Sequence, residues 1–343
     1  MVYYHFIFDN YQISFYLFLN MKRIGVFTSG GDAPGMNACI RAVVRSAIYN
    51  NIEVYGIKRG YEGMIKGNIY PMNSHSVSNI IQKGGTILKS ARSMEFMTKE
   101  GRKKAYQQLM NFDIEGLVAI GGNGTFTGAK IFYEEFGIPT VGCPGTIDND
   151  LYGTDFTIGY DTAVNTALDA IDKIRDTADS HNRIFFIEVM GRDSGYIAIQ
   201  SGISGGAEIV MVPETDTSIE TVISTLEKGK LKHKTSAIVI VAEGDEEGNA
   251  TEIAAKVKMR LSDLDIKVTI LGHIQRGGAP TARDRILASR TGVSAVEGLL
   301  KGLKNVMSGV VHDEIVYTPF DDTITKQKPI SDDLIRMVTV LSV

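Results

Sequence analysis

MKRIGVFTSGGD, residues 21–32, decides the architecture. Ile24–Thr28 is a short apolar run without polar alternation, the pattern of a strand buried on both faces. It passes straight into Ser29-Gly30-Gly31-Asp32-Ala33-Pro34-Gly35, a turn-forming loop that opens the amphipathic stretch Gly35–Tyr49. The same order recurs along the chain. Strands are predicted at Glu53–Ile57, Gly116–Ile120, Thr140–Cys143, Ile184–Val189, Ile209–Val212, Ala237–Val241 and Lys267–Leu271, with helices at Thr98–Asn111 and Thr162–Thr177. In the last of these, Ala163, Ala167, Ala170 and Ile174 repeat at helical spacing. Continuous apolar strands separated by helices imply a parallel sheet covered on both faces.

In such sheets ligands bind beyond the carboxyl ends of the strands, and five predicted strand ends carry glycine with polar or charged residues. Besides the first loop these are Gly121-Gly122-Asn123-Gly124-Thr125, Pro144-Gly145-Thr146-Ile147-Asp148-Asn149-Asp150, Met190-Gly191-Arg192-Asp193-Ser194-Gly195 and Gly272-His273-Ile274-Gln275-Arg276-Gly277-Gly278. Gly30-Gly31 and Gly121–Gly124 can bring backbone N–H groups close to phosphate oxygens, since no Cβ intervenes and helix N-termini follow. One such loop is also an ordinary tight turn; two on one sheet could be spanned by a single nucleotide. No GxxxxGK[ST] occurs, and Pro34 interrupts dinucleotide-fingerprint spacing. Asp148 and Asp150 would point the same way in extended backbone, suiting a general base beside a metal ligand, while a solvated Asx-rich turn explains the same residues. Arg92, Arg183, Arg192, His273 and Arg276 lie in or beside these loops; arginine matches phosphate bidentately, although a single surface arginine is commonly a weak ion pair.

The 343 residues suit about two domains of roughly 150 each. With 43% hydrophobic and 22% charged residues the composition is globular, and 36 basic against 40 acidic side chains give a net charge of −4. That balance predicts no nucleic-acid and no membrane partner. The two cysteines, Cys39 and Cys143, show no CxxC spacing, which argues against a disulfide scaffold or structural zinc and for the cytoplasm. Residues 1–20 hold eight Phe or Tyr side chains but match neither a signal peptide nor a membrane span. We read them as a non-native or mis-assigned extension, with Met21 as the start; an added aromatic strand or an anchor is the alternative.

From Met21 to about Pro319 the chain resembles the ATP-dependent 6-phosphofructokinases of bacterial type. The resemblance rests on TSGGDAPGMN (28–37), GGTILKSAR (84–92), GGNG (121–124), PGTIDND (144–150), EVMGR (188–192), LGHIQRGG (271–278) and DRILASR (284–290). It implies an α/β fold of two Rossmann-like three-layer αβα domains with largely parallel sheets: an ATP-binding domain at 21–159 plus 275–325, and a fructose 6-phosphate-binding domain at 160–274 plus 326–343. It also implies a glycolytic, allosteric, homotetrameric kinase that transfers the ATP γ-phosphoryl group to fructose 6-phosphate with Mg2+ as cofactor. In that reading Asp148 is the general base, Thr146 is its neighbour, and Arg92 and Arg192 stabilise the transferred group. Gly31, Arg92, Ser93, Gly122, Asn123, Gly124 and Thr125 hold ATP, and Asn123 and Asp150 the metal. Thr146, Ile147, Asp148, Met190, Gly191, Arg192, Glu243, His273, Ile274, Gln275 and Arg276 hold fructose 6-phosphate, while Arg183 and Lys267 reach the sugar phosphate of a neighbouring subunit.

Several residues depart from the family pattern. Asn123 stands where Asp is usual, and Lys267 where Arg is usual. An effector site for ADP or phosphoenolpyruvate is matched by Arg41, Arg45, Arg175, Glu208, Lys232 and Lys234, but Ser74 and Asn79 replace an Arg and an Asp. Pyrophosphate-using relatives typically carry Asp and Lys at the positions of Gly124 and Gly145, so two glycines favour ATP. The alternatives are a pyrophosphate-dependent enzyme and a catalytically weak, regulatory sugar-phosphate-binding homologue. A dinucleotide oxidoreductase lacks both the fingerprint spacing and a hydride-handling constellation.

Overall fold

The computed structural model describes residues 21–341 apart from 216 and 233, so the extension expected at 1–20 lies outside the described residues. The described strands are β1 (Arg23–Thr28), β2 (Glu53–Ile57), β3 (Ile69–Met72), β4 (Gly116–Gly121), β5 (Thr140–Pro144), β6 (Ile184–Val189), β7 (Ile209–Met211), β8 (Ala237–Ala242), β9 (Ile266–Ile270), β10 (Val306–Val311) and β11 (Glu314–Pro319). All eight strands read from the sequence are present within one or two residues.

The chain divides into two compact units. The first comprises 21–146, Leu151–Gly159 and Gly278–Gln327, and holds a seven-stranded sheet in the order β11-β10-β5-β4-β1-β2-β3. Its five central strands are mutually parallel, and both edges are antiparallel. The second unit comprises Ile147–Asp150, Tyr160–Gly277 and the segment from Lys328, with a wholly parallel sheet in the order β7-β8-β6-β9. Parallel strands need crossovers, and the helices Met36–Tyr49, Lys99–Asn111 and Asn123–Phe136 supply them in the first unit.

Burial accounts for the legibility of the strands. Val118, Ala119 and Ile120 of β4, and Ile238, Val239 and Ile240 of β8, are fully inaccessible. In the first unit Phe27, Ile57, Met64, Leu109 and Phe132 pack into one cluster. In the second, Phe186, Met211, Val222, Val239 and Ile253 do so. Each such side chain contributes roughly 1.5–3 kcal/mol on burial. Local chemistry sets the helix starts: Thr98 Oγ1 accepts from Gly101 N at 3.0 Å, and Asn249 with Glu252 forms a reciprocal cap.

Candidate active site

In the first unit the strand-end loops are tied into one surface. Thr125 Oγ1 donates to the Ser29 carbonyl at 3.2 Å, linking the loop after β4 to the loop after β1. Thr28 Oγ1 donates to the Lys89 carbonyl at 3.0 Å and Ser90 Oγ to the Gly30 carbonyl at 2.5 Å, which brings in the segment 84–92. Tyr61 stacks on Phe96 with ring centroids 3.9 Å apart and donates to the Thr125 carbonyl at 2.6 Å. Ser93 Oγ donates to Glu62 at 2.8 Å, and Arg92 is exposed. Thr146 is buried, and its carbonyl accepts from Thr157 Oγ1 at 2.6 Å. Gly31, Gly122, Asn123, Gly124 and Thr125 thus share one loop cluster, with Asn123 opening the helix Asn123–Phe136.

The two glycines read as leaving room for ATP differ. A Cβ on Gly124 would meet nothing within 4 Å. A Cβ on Gly145 would lie 3.0 Å from Met36 Cε, 3.1 Å from Ile120 Cγ2 and 3.2 Å from Gly121 N. Gly124 borders open space, whereas a side chain at Gly145 would crowd its neighbours.

In the second unit Asp148 is only 4% exposed, and its main-chain carbonyl accepts from Ser194 Oγ at 3.1 Å. The extended geometry expected for Asp148–Asp150 is not what the chain adopts: Asn149 has φ 55°, in the left-handed region, so the loop turns between the two carboxylates. They remain electrostatically close. Burial first, and then the Asp148 charge, push the Asp150 carboxyl above its ordinary range, while Arg192 and Lys328 pull it back. Arg192 itself sits at φ 54°, and its N–H donates to Glu243 Oε2 at 3.4 Å. Gly195 N donates to both Glu214 oxygens, at 2.9 and 3.1 Å, which fixes the far end of the 190–195 loop. Ser194, Glu214 and Lys328 were missed by reading the sequence. Ser194 lay inside a loop already singled out, whereas nothing in the sequence pointed to the other two.

The loops after β6 and β9 lie at the carboxyl ends of neighbouring strands of one sheet. There Met190–Arg192, His273 and Arg276 are reachable from solvent, apart from the buried Gly191. Ile147 and Gln275 are fully buried. Ile274 is 58% exposed. Arg183 and Lys267 are elsewhere. They lie at the opposite, amino ends of β6 and β9, where both grip Asp265 at 2.8 Å. The six residues of β6 separate them from the 190–192 loop by about 20 Å at roughly 3.3 Å per residue.

Of the residues assigned to an effector, Arg41 and Arg45 lie one turn apart on the helix Met36–Tyr49 of the first unit. In the second unit Arg175 donates to the carbonyls of Gly205 and Gly206 at 2.5 and 2.7 Å. Glu208 accepts from Ile238 N at 2.7 Å and lies 3.9 Å from Lys234. Lys232 follows the helix Ile219–Leu231.

Amide-rich strand-end loops in the first unit and, in the second, two neighbouring carboxylates of which Asp150 feels a guanidinium define a phosphate-handling α/β protein. The phosphofructokinase family profile matches residues 23–299. An ATP-dependent 6-phosphofructokinase of Cytophaga hutchinsonii is 64% identical over 322 residues, covering 94% of this chain and 98% of that protein. The ATP-dependent 6-phosphofructokinase 1 of Thermus thermophilus is 58% identical, covering 94% and 100%. The solved phosphofructokinase of Saccharomyces cerevisiae superposes with a TM-score of 0.83 at 34% identity, over 89% of this chain and 45% of that longer one. A pyrophosphate-dependent phosphofructokinase from Marinobacter aquaeolei shares the fold, with a TM-score of 0.80 at 22% identity over 94% and 91%. This chain belongs to the phosphofructokinase family.

Proposed function

We propose that the protein is an ATP-dependent 6-phosphofructokinase, converting fructose 6-phosphate and ATP to fructose 1,6-bisphosphate and ADP. The observation that carries the catalytic reading is Asp148, almost fully buried and within the field of a second carboxylate, Asp150, which in turn feels Arg192. A buried acid so placed is suited to accept a proton. The identities of 64% and 58% to proteins named for ATP, and the open space beside Gly124, favour ATP over pyrophosphate.

In this reading the first unit holds ATP through the Gly30-Gly31 and Gly121–Thr125 amides, with Arg92 and Ser93. The second unit holds the sugar through Met190–Arg192, Glu243, His273 and Arg276. Asp148 takes the proton of the sugar 1-hydroxyl as that oxygen bonds to the γ-phosphorus and the bond to the ADP oxygen breaks. Arg92 and Arg192 stabilise charge on the group in flight, and Thr146 positions the loop. The protein's contribution is positioning and electrostatics, as phosphoryl transfer requires.

The donor chemistry fits Mg2+. Asp150 is a hard oxygen donor whose ionised form is disfavoured by burial and by Asp148, so a dication beside it would relieve both effects. Among the described residues no group of three or more His, Cys, Asp or Glu could hold a metal, which suits an ion that keeps waters and nucleotide oxygens as its other ligands. Asp150 and the Asn123 carbonyl would hold it, and it would supply neutralisation of the nucleotide's phosphate charge.

Arg183 and Lys267 lie about 20 Å from the 190–192 loop at roughly 3.3 Å per residue, and this supports a sugar site completed by a neighbouring copy in a homo-oligomer. The cations Arg41, Arg45, Arg175, Lys232 and Lys234 suit an anionic effector such as ADP or phosphoenolpyruvate. The two cysteines are buried and free, in keeping with the cytoplasm, and no helix among the described residues is long and apolar enough to cross a membrane.

The test is turnover of purified protein with fructose 6-phosphate and Mg2+, given ATP or pyrophosphate in turn, with Asp148→Ala beside it. ATP-dependent bisphosphate formation abolished by the substitution supports the reading. Product from pyrophosphate alone, or undiminished turnover by Asp148→Ala, overturns it.

A further inference from the structure

A cavity of about 450 Å3 opens in the first unit between the end of β2, the start of β3 and the segment 84–92. Its lining includes Lys58, Arg59, Asn68, Tyr70 and Lys89, and no acidic residue. None of the three cations has a carboxylate within ion-pair distance among the described residues. Glu62, whose charge Arg59 feels, is already held by Lys66 at 2.5 Å and by Ser93 at 2.8 Å. Like charges without counter-charge repel one another, so an anion between them would be favoured, and main-chain hydrogen bonds hold the segments that carry them.

Lys58 N donates to the Asn68 carbonyl at 3.0 Å, Arg59 N to the Leu88 carbonyl at 2.7 Å, and Thr28 Oγ1 to the Lys89 carbonyl at 3.0 Å. Arg59 and Lys89 both stand in the left-handed region, at φ 69° and 57°, a conformation that non-glycine residues rarely adopt. Strained, convergent and unneutralised cations around a concave surface are preorganised for an anion. Tyr70, half-buried, adds a hydroxyl donor to two ammonium groups and one guanidinium fork.

We propose that the Lys58–Arg59–Lys89 cavity binds a small phosphate-bearing anion, through side chains assigned to none of the nucleotide, sugar and effector sites. The cavity is larger than a bare phosphate, so the shared chemistry is a phosphate dianion that is either free or carried on a small ester.

Calorimetric titration of the full-length protein at low salt, with inorganic phosphate and separately with ribose 5-phosphate, tests this. Wild type is compared with the Lys58→Gln/Lys89→Gln double variant and with Lys301→Gln as a control outside every assigned site. One binding equivalent is expected to weaken at least tenfold in the double variant, to persist in Lys301→Gln, and to weaken with added salt. Tighter wild-type binding of inorganic phosphate assigns the free anion, and tighter binding of ribose 5-phosphate a phosphorylated metabolite. Should the double variant fail to fold, the single substitutions are each expected to weaken the same equivalent at least threefold. Unchanged stoichiometry and affinity for both probes in the folded variants overturns the proposal.

Discussion

Ser194 Oγ donates to the main-chain carbonyl of Asp148 at 3.1 Å, with both residues buried. The bond fixes the backbone that carries the proposed base without using the carboxylate itself. Removing it costs about 1 kcal/mol. Ser194→Ala is therefore expected to lower kcat about fivefold with little change in KM for ATP, and Ser194→Thr to restore most of it. Asp148→Ala is expected to lower kcat by roughly 10²–10⁴. Steady-state kinetics of the three variants checks the order; equal losses for Ser194→Ala and Asp148→Ala would contradict it.

Asn123 offers a neutral carbonyl where a carboxylate would bind a hard dication better. Asn123→Asp is expected to raise activity at limiting Mg2+ and to converge with wild type at saturation. An unchanged Mg2+ titration would show that this side chain does not meet the metal.

Asp150 sets a pH dependence of stability. Its carboxyl is raised above the ordinary value of 3.8 by burial and by Asp148. A raised acid disfavours the folded state wherever it must ionise. The penalty is absent below the unfolded value and complete above the folded one. Asp150→Asn is thus expected to raise Tm at pH 7.5 in the absence of Mg2+, with the difference shrinking as pH falls toward 3.8. A Tm difference of the same size at both pH values would refute the assignment.

Gly124 and Gly145 separate fold from nucleotide choice. Gly124→Asp meets open space at the first turn of a helix, where an acid is favourable. Its Tm should be unchanged or higher, with a raised KM for ATP. Gly145→Ala crowds Met36, Ile120 and Gly121 and should cost about 1–3 kcal/mol of stability. Thermal denaturation and ATP kinetics distinguish the two.

Lys267 shares Asp265 with Arg183. An ammonium lacks the bidentate fork, so Lys267→Arg is expected to lower KM for fructose 6-phosphate several-fold with kcat less affected. No change in KM would detach Lys267 from the sugar phosphate.

What could be read in advance follows from burial. Seven of the eight predicted strands are apolar runs packed into the sheets, and such runs need no context to be seen; the eighth, β9, is an exposed edge legible from its β-branched residues. The three missed strands form one side of the larger sheet and its other edge. β3 carries Pro71, tolerated because it is an edge; β10 is interrupted by Ser308-Gly309; and β11 is only partly buried. The glycine loops were legible because close backbone approach excludes a Cβ. The relation of Asp148 to Asp150 was not, because it turns on one torsion at Asn149. Ser194 and Glu214 act through contacts 46 and 19 residues distant in sequence, which no local pattern records.

The torsion at Asn149 also limits sequence drift. Asparagine and glycine occupy that backbone region readily, while most other side chains lose about 1–2 kcal/mol there. A β-branched replacement would be purged for reasons unrelated to its chemistry. Variation among descendants of this gene should therefore concentrate on a two-letter alphabet at that place, even though the side chain is assigned no part in the reaction.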